Sequence, residues 1–160
     1  MIQLIITGGT LDKRYNELNG ELYFPETHLP AMLKQARCSV EIDIQQLMLK
    51  DSLEMTESDR DGIKQSCIAT NAQQIIITHG TDTLVETAKH LSLSIKDKTI
   101  VLVGAMVPHA IKQSDALFNL GGAITAVQLL PVGIYITMNG KIFDWDKVVK
   151  DKQRGEFKAI

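Results

Sequence analysis

Two threonines in this sequence each follow a glycine in nearly the same six-residue setting. The first segment, residues 5–10, reads IITGGT and ends at Thr10, and the second, residues 76–81, reads IITHGT and ends at Thr81. Glycine lets the backbone turn sharply or approach a ligand closely, and each segment then presents a hydroxyl. Two hydroxyls that face one crevice suit attack on a carbonyl carbon. Taken alone, either segment is more typical of a turn that caps a helix.

Threonine attacks a carbonyl only when a base or a hydrogen-bond relay accepts its proton. Asp82 follows Thr81 directly, and Lys150 lies further along the sequence. A Thr-Asp-Lys set can activate the Thr81 hydroxyl or a water beside it. The carboxylate favours a charged lysine whereas a base must be neutral, so burial must offset the pairing. On pattern alone, Lys150 is more typical of a solvated lysine, because residues 147–152 contain several.

Further residues that follow predicted strands carry groups that suit an amino-acid substrate. Asp51 offers a carboxylate for an ammonium group, and Ser52 offers a hydroxyl for a carboxylate. Gly80 and Ala105 offer backbone atoms to a bound amide. The alternative for each is the ordinary chemistry of a polar turn or a strand end.

Phosphate and metal binding fit the sequence less well. Gly8 and Gly9 lack the third glycine of a G-x-G-x-x-G loop, and no G-K-[ST] is present, so a nucleotide-binding module is the weaker interpretation. The histidines show no metal-ligand spacing and no C-x-x-C occurs, so neither a metal ion nor another cofactor is expected. The histidines are His28, His79, His90 and His109.

The residues between these segments alternate between short apolar runs and helical patterns. An alternating βαβα order predicts an α/β fold, a three-layer αβα arrangement in which helices cover both faces of a mostly parallel open sheet. In such sheets ligands bind beyond the carboxyl ends of the strands, which is where the threonines lie. The predicted strands are Ile2–Thr7, Val40–Leu49, Gln74–Thr78, Thr99–Val103, Gly133–Thr137 and Lys141–Phe143, and the predicted helices are Pro25–Arg37, Thr56–Ala69, Thr83–Leu93 and Ser114–Leu130.

Composition narrows the class of protein. The 160 residues include 44% hydrophobic residues, which fits one domain with a substantial core. The formal net charge of −2 lacks the basic excess typical of nucleic-acid binding. No run approaches the ~18 apolar residues of a membrane span, and Ile2–Thr7 favours a buried strand over a signal peptide. Cys38 and Cys67 are expected to be buried free thiols. A cytoplasmic protein with no nucleic-acid or membrane partner is expected.

Three motifs resemble those of bacterial-type L-asparaginases, in the order found in that family. Residues 7–11 (TGGTL) are similar to the signature T-G-G-T-I, and residues 78–88 (THGTDTLVETA) are similar to H-G-T-D-T-x-x-E-T-A. Residues 103–108 (VGAMVP) resemble the family's V-G-A-M-R-P. The resemblance covers essentially the whole sequence, and the second motif is highly specific.

The resemblance implies roles for particular residues. Thr10 corresponds to the threonine usually assigned as nucleophile, and Thr81 and Asp82 correspond to the second catalytic threonine and its aspartate. The pair at 51–52 corresponds to a D-S turn that holds the substrate's α-amino and α-carboxylate groups. Lys150 corresponds to the family lysine, although the family usually has a threonine where this sequence has Val149.

The family's catalytic tyrosine has two counterparts. Tyr23 corresponds to the tyrosine of the longer members, and Tyr15, in a D-K-x-Y run, corresponds to that of short members. Tyr15 is slightly favoured because it follows Thr10 more closely. Asn19-Gly20 between the tyrosines predicts a mobile hairpin that acts as a lid.

Long members of the family also carry a smaller C-terminal domain, which supplies an acidic residue near the substrate amine. Residues 1–160 are expected to form a single catalytic domain without it, and weaker substrate binding is expected. Asp12, Glu17, Glu21 or Glu26 are candidates for the missing carboxylate.

The reaction that the resemblance implies is hydrolysis of L-asparagine to L-aspartate and ammonia, by Thr10 or by a water that Thr81 activates. Alternatives are the same reaction on L-glutamine, a D-isomer or a related amide, and a non-catalytic amino-acid-binding module. A homo-oligomer, dimer or tetramer, is also expected by resemblance.

Overall fold

A computed structural model describes all residues, 1–160. Its central sheet has six strands in the order β4-β1-β5-β6-β7-β8, and all adjacent pairs are parallel except β7 and β8. The strands are β1 (Ile2–Gly8), β4 (Ile42–Lys50), β5 (Gln74–Thr78), β6 (Thr99–Val103), β7 (Gly133–Met138) and β8 (Lys141–Asp144). From β1 the chain crosses to β4 on one side, and it later returns to β5 on the other side of β1. The order of the strands therefore reverses at β1, and such a switch point is where open α/β sheets bind ligands.

Four helices cover the two faces of the sheet. They are α1 (Leu29–Gln35), α2 (Glu57–Ala69), α3 (Leu84–Ser92) and α4 (Ala116–Leu129). The core has two parts: one joins α2 and α3 to one face of the sheet, and the other joins α1 and α4 to the opposite face. Alternation along β1 supplies both, since Ile5 belongs to the first and Leu4 and Ile6 to the second. The predicted three-layer α/β fold is confirmed.

Several predicted boundaries were reproduced by local chemistry. Thr56 and Asp59 form a capping box at the start of α2, in which the Thr56 side chain accepts from Asp59 N–H and the Asp59 carboxylate accepts from Thr56 N–H. Asn139 and Gly140 both have positive φ, at 49° and 82°, as the tight turn between β7 and β8 requires.

The helix predicted at Pro25 begins later, at Leu29. Pro30 lies in its first turn, where a proline's missing N–H costs nothing, whereas Pro25 precedes the helix. The helix also ends earlier than predicted, because Arg37 has a φ of 52°, outside the helical region. Cys67 is buried as expected, but Cys38 lies beyond α1 and is only half-buried.

The chain also contains two small hairpins outside the βαβα pattern. One consists of β2 (Arg14–Tyr15) and β3 (Leu22–Tyr23), and the other of β9 (Val148–Asp151) and β10 (Glu156–Ala159). The second hairpin, which was not predicted, packs Val148 and Phe157 into the core. No helix is both long and apolar enough to cross a membrane.

Candidate active site

The loops that follow β1 and β5 touch each other through their glycines. Gly9 has a φ of 84°, and a Cβ at this position would lie 2.4 Å from the backbone nitrogen of Gly80. Thr7 on β1 also donates a hydrogen bond of 2.7 Å to the carbonyl of Thr78 on β5. The absence of a side chain at residue 9 therefore brings together the two backbone segments that carry Thr10 and Thr81. The predicted convergence of the two threonine segments is found.

Lys150 reaches Thr81 and Asp82 from the β9–β10 hairpin. Its Nζ donates a hydrogen bond of 2.7 Å to Thr81 Oγ1 and one of 2.8 Å to Asp82 Oδ1. The lysine side chain is only 12% exposed, and Thr81 is buried. Lys150 is therefore not the solvated lysine that its surroundings in the sequence favoured. The hairpin places it at the site because Val148 and Phe157 anchor β9 and β10 in the core.

The loop that carries Thr81 is fixed from below by His79. The ring is fully buried, and its Nδ1 lies 2.8 Å from the Gly80 carbonyl oxygen, which can only accept, so this nitrogen carries the proton. Its Nε2 then accepts from the Thr87 hydroxyl at 2.7 Å. Burial lowers the pKa of His79 from 6.5 to about 4, so the ring is neutral at pH 7. His79 positions the loop, and it is not placed to exchange protons with a substrate.

The turn at Asp51 and Ser52 adjoins the same loop. The Ser52 carbonyl accepts a hydrogen bond of 2.8 Å from Thr83 Oγ1. A Cβ at Gly80 would lie 2.5 Å from Ser52 Oγ, so this glycine is what allows the buried serine to approach. Asp51 is half-buried and forms an ion pair with Lys13. The predicted substrate-binding turn thus lies against the predicted catalytic loop.

Thr10 opens a short 3-10 helix, Thr10–Asp12, and is half-buried. The hydrogen bonds of the Lys150 ammonium go to Thr81 and Asp82. The two threonines therefore differ, since only Thr81 is paired with the lysine.

The lid hairpin, defined here as β2, β3 and their connection (residues 14–23), carries both candidate tyrosines. Tyr15 pairs with Leu22 and Tyr23 pairs with Arg14 across the antiparallel ladder. Directly opposite residues share a face and successive residues alternate, so the two tyrosines lie on opposite faces of the hairpin. Both are substantially exposed, at 57% for Tyr15 and 44% for Tyr23. The choice between them stays a prediction.

Asp12 joins the two ends of the segment that contains the lid hairpin. Its Oδ1 accepts hydrogen bonds from His28 N–H at 2.7 Å and from Thr27 Oγ1 at 3.0 Å. The carboxyl group is fully buried, and its Oδ2 has no partner. Burial raises the pKa of Asp12 from 3.8 to about 6, against the opposing effect of these hydrogen bonds. This carboxylate is thus enclosed in the protein and engaged, unlike Glu17 and Glu21, which lie exposed on the lid hairpin.

The loop after β6, which contains Ala105, is held by residues that sequence reasoning missed. The Asp115 carboxylate accepts from the backbone N–H groups of Met106 and Val107, each at 3.0 Å. Asn119 donates to the Gly104 carbonyl at 3.0 Å and to Asp115 at 2.9 Å. Burial acts to raise the pKa of Asp115, but its hydrogen bonds outweigh burial and lower it. An aspartate at the start of a helix that follows a strand-end loop is the only local signal that the sequence offered.

Gly104 brings this third loop against the threonine loop. A Cβ at Gly104 would lie 2.6 Å from the His79 carbonyl and 2.9 Å from the Thr81 methyl group. Ala105, next to it, is fully buried. The structure contains no group of three or more His, Cys, Asp or Glu side chains arranged to hold a metal ion.

Comparison with known proteins agrees with this geometry. The family described as "Asparaginase, N-terminal" matches residues 1–157. L-asparaginase 2 of Escherichia coli (strain K12) is 43% identical over 79 residues, which are 47% of this chain and 23% of that protein. A glutamyl-tRNA(Gln) amidotransferase polypeptide of Methanococcus vannielii is 33% identical over 154 residues, which are 89% of this chain and 35% of that protein.

Solved structures with the same fold include two named as L-asparaginases. The thermostable L-asparaginase from Thermococcus kodakarensis matches with a TM-score of 0.87 and 29% identity, over 100% of this chain and 51% of that one. A probable cytoplasmic L-asparaginase from Campylobacter jejuni matches with a TM-score of 0.81 and 31% identity, over 93% and 49% of the two chains. The chain thus spans about half the length of these structures and about a third or less of the two relatives above. Its sequence and its fold together show that the chain belongs to the asparaginase family.

Proposed function

We propose that this protein hydrolyses the side-chain amide of L-asparagine to L-aspartate and ammonia. The observation that carries the proposal is the contact of Lys150 with Thr81 and Asp82, because it supplies a threonine hydroxyl with a proton acceptor in a sheltered position. The amide class is supported by the family and by relatives named asparaginase, glutaminase-asparaginase and glutamyl-tRNA(Gln) amidotransferase.

In the proposed mechanism, a neutral Lys150 takes the proton of Thr81. The lysine then becomes an ammonium whose charge Asp82 balances at 2.8 Å. The resting pair favours the charged lysine, so the proton must leave Lys150 before each turnover. The activated Thr81 in turn removes a proton from a water molecule or attacks the amide itself. Positioned acid–base groups of this kind contribute typically ~10²–10⁴-fold to a rate.

Thr10 is proposed as the nucleophile on the ground of its place in the first family motif. It lies at the switch point of the sheet, next to the backbone contact between Gly9 and Gly80. If Thr10 attacks, an acyl-enzyme forms on its Oγ1, and the Thr81 pair then activates the water that releases L-aspartate. If Thr81 activates water directly, no acyl-enzyme forms. Rapid acid quenching of a reaction with L-asparagine, followed by mass spectrometry of the peptide that contains Thr10, distinguishes the two routes.

The negative oxygen of the tetrahedral intermediate requires N–H donors. The Gly9 N–H already donates to the Lys50 carbonyl at 3.0 Å. We therefore assign the oxyanion to backbone N–H groups of the turn at Gly80 and Thr81. A donor of this kind is typically worth ~10²–10³ in rate.

The test is ammonia release by the purified protein from L-asparagine, L-glutamine and D-asparagine. We expect release from L-asparagine with the highest kcat/KM. Preferred release from another amide would place the protein in the same reaction class with a different substrate. Stabilisation against thermal unfolding by L-aspartate without any ammonia release would favour an amino-acid-binding module instead.

Two further expectations accompany the proposed activity. A homo-oligomer is expected from the family, and its mass in solution is measurable by light scattering. A cytoplasmic location is supported by the Campylobacter jejuni relative, although another relative, from Haemophilus influenzae, is named as periplasmic.

A further inference from the structure

Lys13 occupies the carboxylate of the predicted substrate-binding turn. Its Nζ forms an ion pair with Asp51 Oδ2, while Asp51 Oδ1 accepts from Leu53 N–H at 3.0 Å. The lysine side chain is 17% exposed and that of Asp51 is 30% exposed. The other lysine nearby, Lys50, is paired with Asp59 at 2.7 Å and does not compete. An ammonium group already lies where a carboxylate was expected to bind the ammonium of a substrate.

We propose that Lys13 holds the place of the substrate's α-ammonium group on Asp51 and, once displaced, pairs with the substrate's α-carboxylate. This inference rests on the proposed function, since it concerns how the same site selects its substrate. It makes Lys13 a specificity-determining residue of the amidase.

The exchange conserves the number of ion pairs. In the free protein Lys13 pairs with Asp51, and a free amino-acid amide carries both an ammonium and a carboxylate. After the exchange Asp51 pairs with the substrate ammonium and Lys13 pairs with the substrate carboxylate. No charge is left unpaired in a half-buried site, where an unpaired charge is costly.

The backbone allows Lys13 to move by rotation of its side chain alone. Lys13 N–H donates to the Thr10 carbonyl at 3.1 Å, which fixes the start of the side chain directly after the 3-10 helix. The ammonium also lies 5.4 Å from the ring centre of Phe24, a cation–π contact that remains available when Asp51 is released. The hydrogen bond from Lys13 lowers the pKa of Asp51 below its usual range, so the turn is ionised and ready for exchange at neutral pH.

Substrates with one charge do not complete the exchange. β-Alaninamide has the amide and the ammonium of L-asparagine but no carboxylate, so it displaces Lys13 and leaves the lysine unpaired. Succinamate has the amide and the carboxylate but no ammonium, so it draws Lys13 away and leaves Asp51 unpaired. Both are expected to be poorer substrates and weaker ligands than L-asparagine.

The variant Lys13→Met tests this prediction by the direction of its effects. Without the lysine, Asp51 is free, so β-alaninamide binds more tightly and both its Kd and its KM fall by about tenfold. Succinamate loses its cation and faces an uncompensated Asp51, so both constants rise by about tenfold for this ligand. The control is Lys34→Met, which removes an exposed lysine from α1 and is expected to change neither ligand.

Two readouts keep this inference separate from the proposed function. Kd is measured by calorimetry on the folded proteins, and ammonia release is measured in parallel. Opposite shifts in Kd support the exchange even where no ammonia is released, an outcome that rejects only the enzymatic function. Shifts in the same direction, as expected if Lys13 only anchors the lid hairpin, overturn the inference, as does the absence of binding by either ligand to the unmodified protein.

Discussion

Lys150 donates a hydrogen bond of 2.7 Å to the hydroxyl of Thr81, a residue 69 positions earlier in the chain. The contact depends on the β9–β10 hairpin, which brings the lysine to the carboxyl end of β5. It distinguishes Thr81 from Thr10 and makes the lysine the first residue to test.

We expect Lys150→Met to lower kcat by about 10²–10⁴-fold with a smaller effect on KM, because the proton acceptor is lost. Lys150→Arg keeps the positive charge beside Asp82 but cannot act as a base near neutral pH. Its kcat is therefore expected to fall as far as that of the methionine variant. Steady-state kinetics measure both, with circular dichroism as the control for folding. An arginine variant with more than half of the original kcat would show that only the charge matters.

The opposite orientation of the two tyrosines predicts unequal effects of their removal. Because Tyr15 and Tyr23 lie on different faces of the lid hairpin, one closing movement brings only one of them over the site. We expect Tyr15→Phe to reduce kcat at least tenfold and Tyr23→Phe to change it less than threefold. The kinetics of the two single variants decide this. The reverse ranking would assign the role to Tyr23, and equal losses would contradict the geometry.

Asp12 is expected to make folding stability depend on pH. A carboxyl whose pKa is raised in the folded state binds its proton more tightly there, so its contribution is present below pH 3.8 and is lost as pH rises to about 6. The shift corresponds to about 3 kcal/mol. Asp12→Asn keeps an acceptor for the His28 and Thr27 hydrogen bonds but has no charge, so this loss disappears.

Urea unfolding between pH 4 and pH 7 measures the effect. The stability of the unmodified protein relative to Asp12→Asn should fall by about 3 kcal/mol across this range. The exposed Glu17→Gln variant is the matched control and should show no such trend. Parallel stability curves for the protein and Asp12→Asn would contradict the burial of an ionised Asp12.

The contact between Gly80 and Ser52 predicts a specific rescue. Gly80→Ala places a methyl group 2.5 Å from Ser52 Oγ, so we expect a loss of about 1–3 kcal/mol in stability. Adding Ser52→Gly removes the clashing side chain and should restore most of the stability, although not the substrate-binding hydroxyl. Thermal unfolding of the single and double variants tests this. A double variant as unstable as the sum of the two single changes would show that the side chains do not clash.

The sequence predicted well those features that depend on neighbouring residues. The strands Gln74–Thr78 and Thr99–Val103, the capping box at Thr56 and the turn at Asn139 all follow from local hydrophobicity or local hydrogen bonding. The convergence of the threonine segments also followed, because parallel strands carry their carboxyl ends to one edge of the sheet.

What the sequence could not predict depends on residues that are far apart in the chain. The ion pair of Lys13 with Asp51 spans 38 positions, and nothing near either residue indicates the other. The hydrogen bonds of Asp115 to Met106 and Asn139 similarly join three elements. The pattern around Lys150 even favoured a solvated side chain, because burial of a lysine is decided by the strands that pack around it.

The central claim is that this protein is an amidase whose chemistry depends on both threonines. Ammonia release from L-asparagine by the unmodified protein, Thr10→Val and Thr81→Val, compared at equal concentrations of folded protein, tests it most directly. We predict release by the unmodified protein and a loss of at least ~10²-fold in each valine variant, in line with the removal of a catalytic group. Undiminished release by either variant would contradict the role of that threonine, and no release by the folded, unmodified protein would contradict the amidase itself.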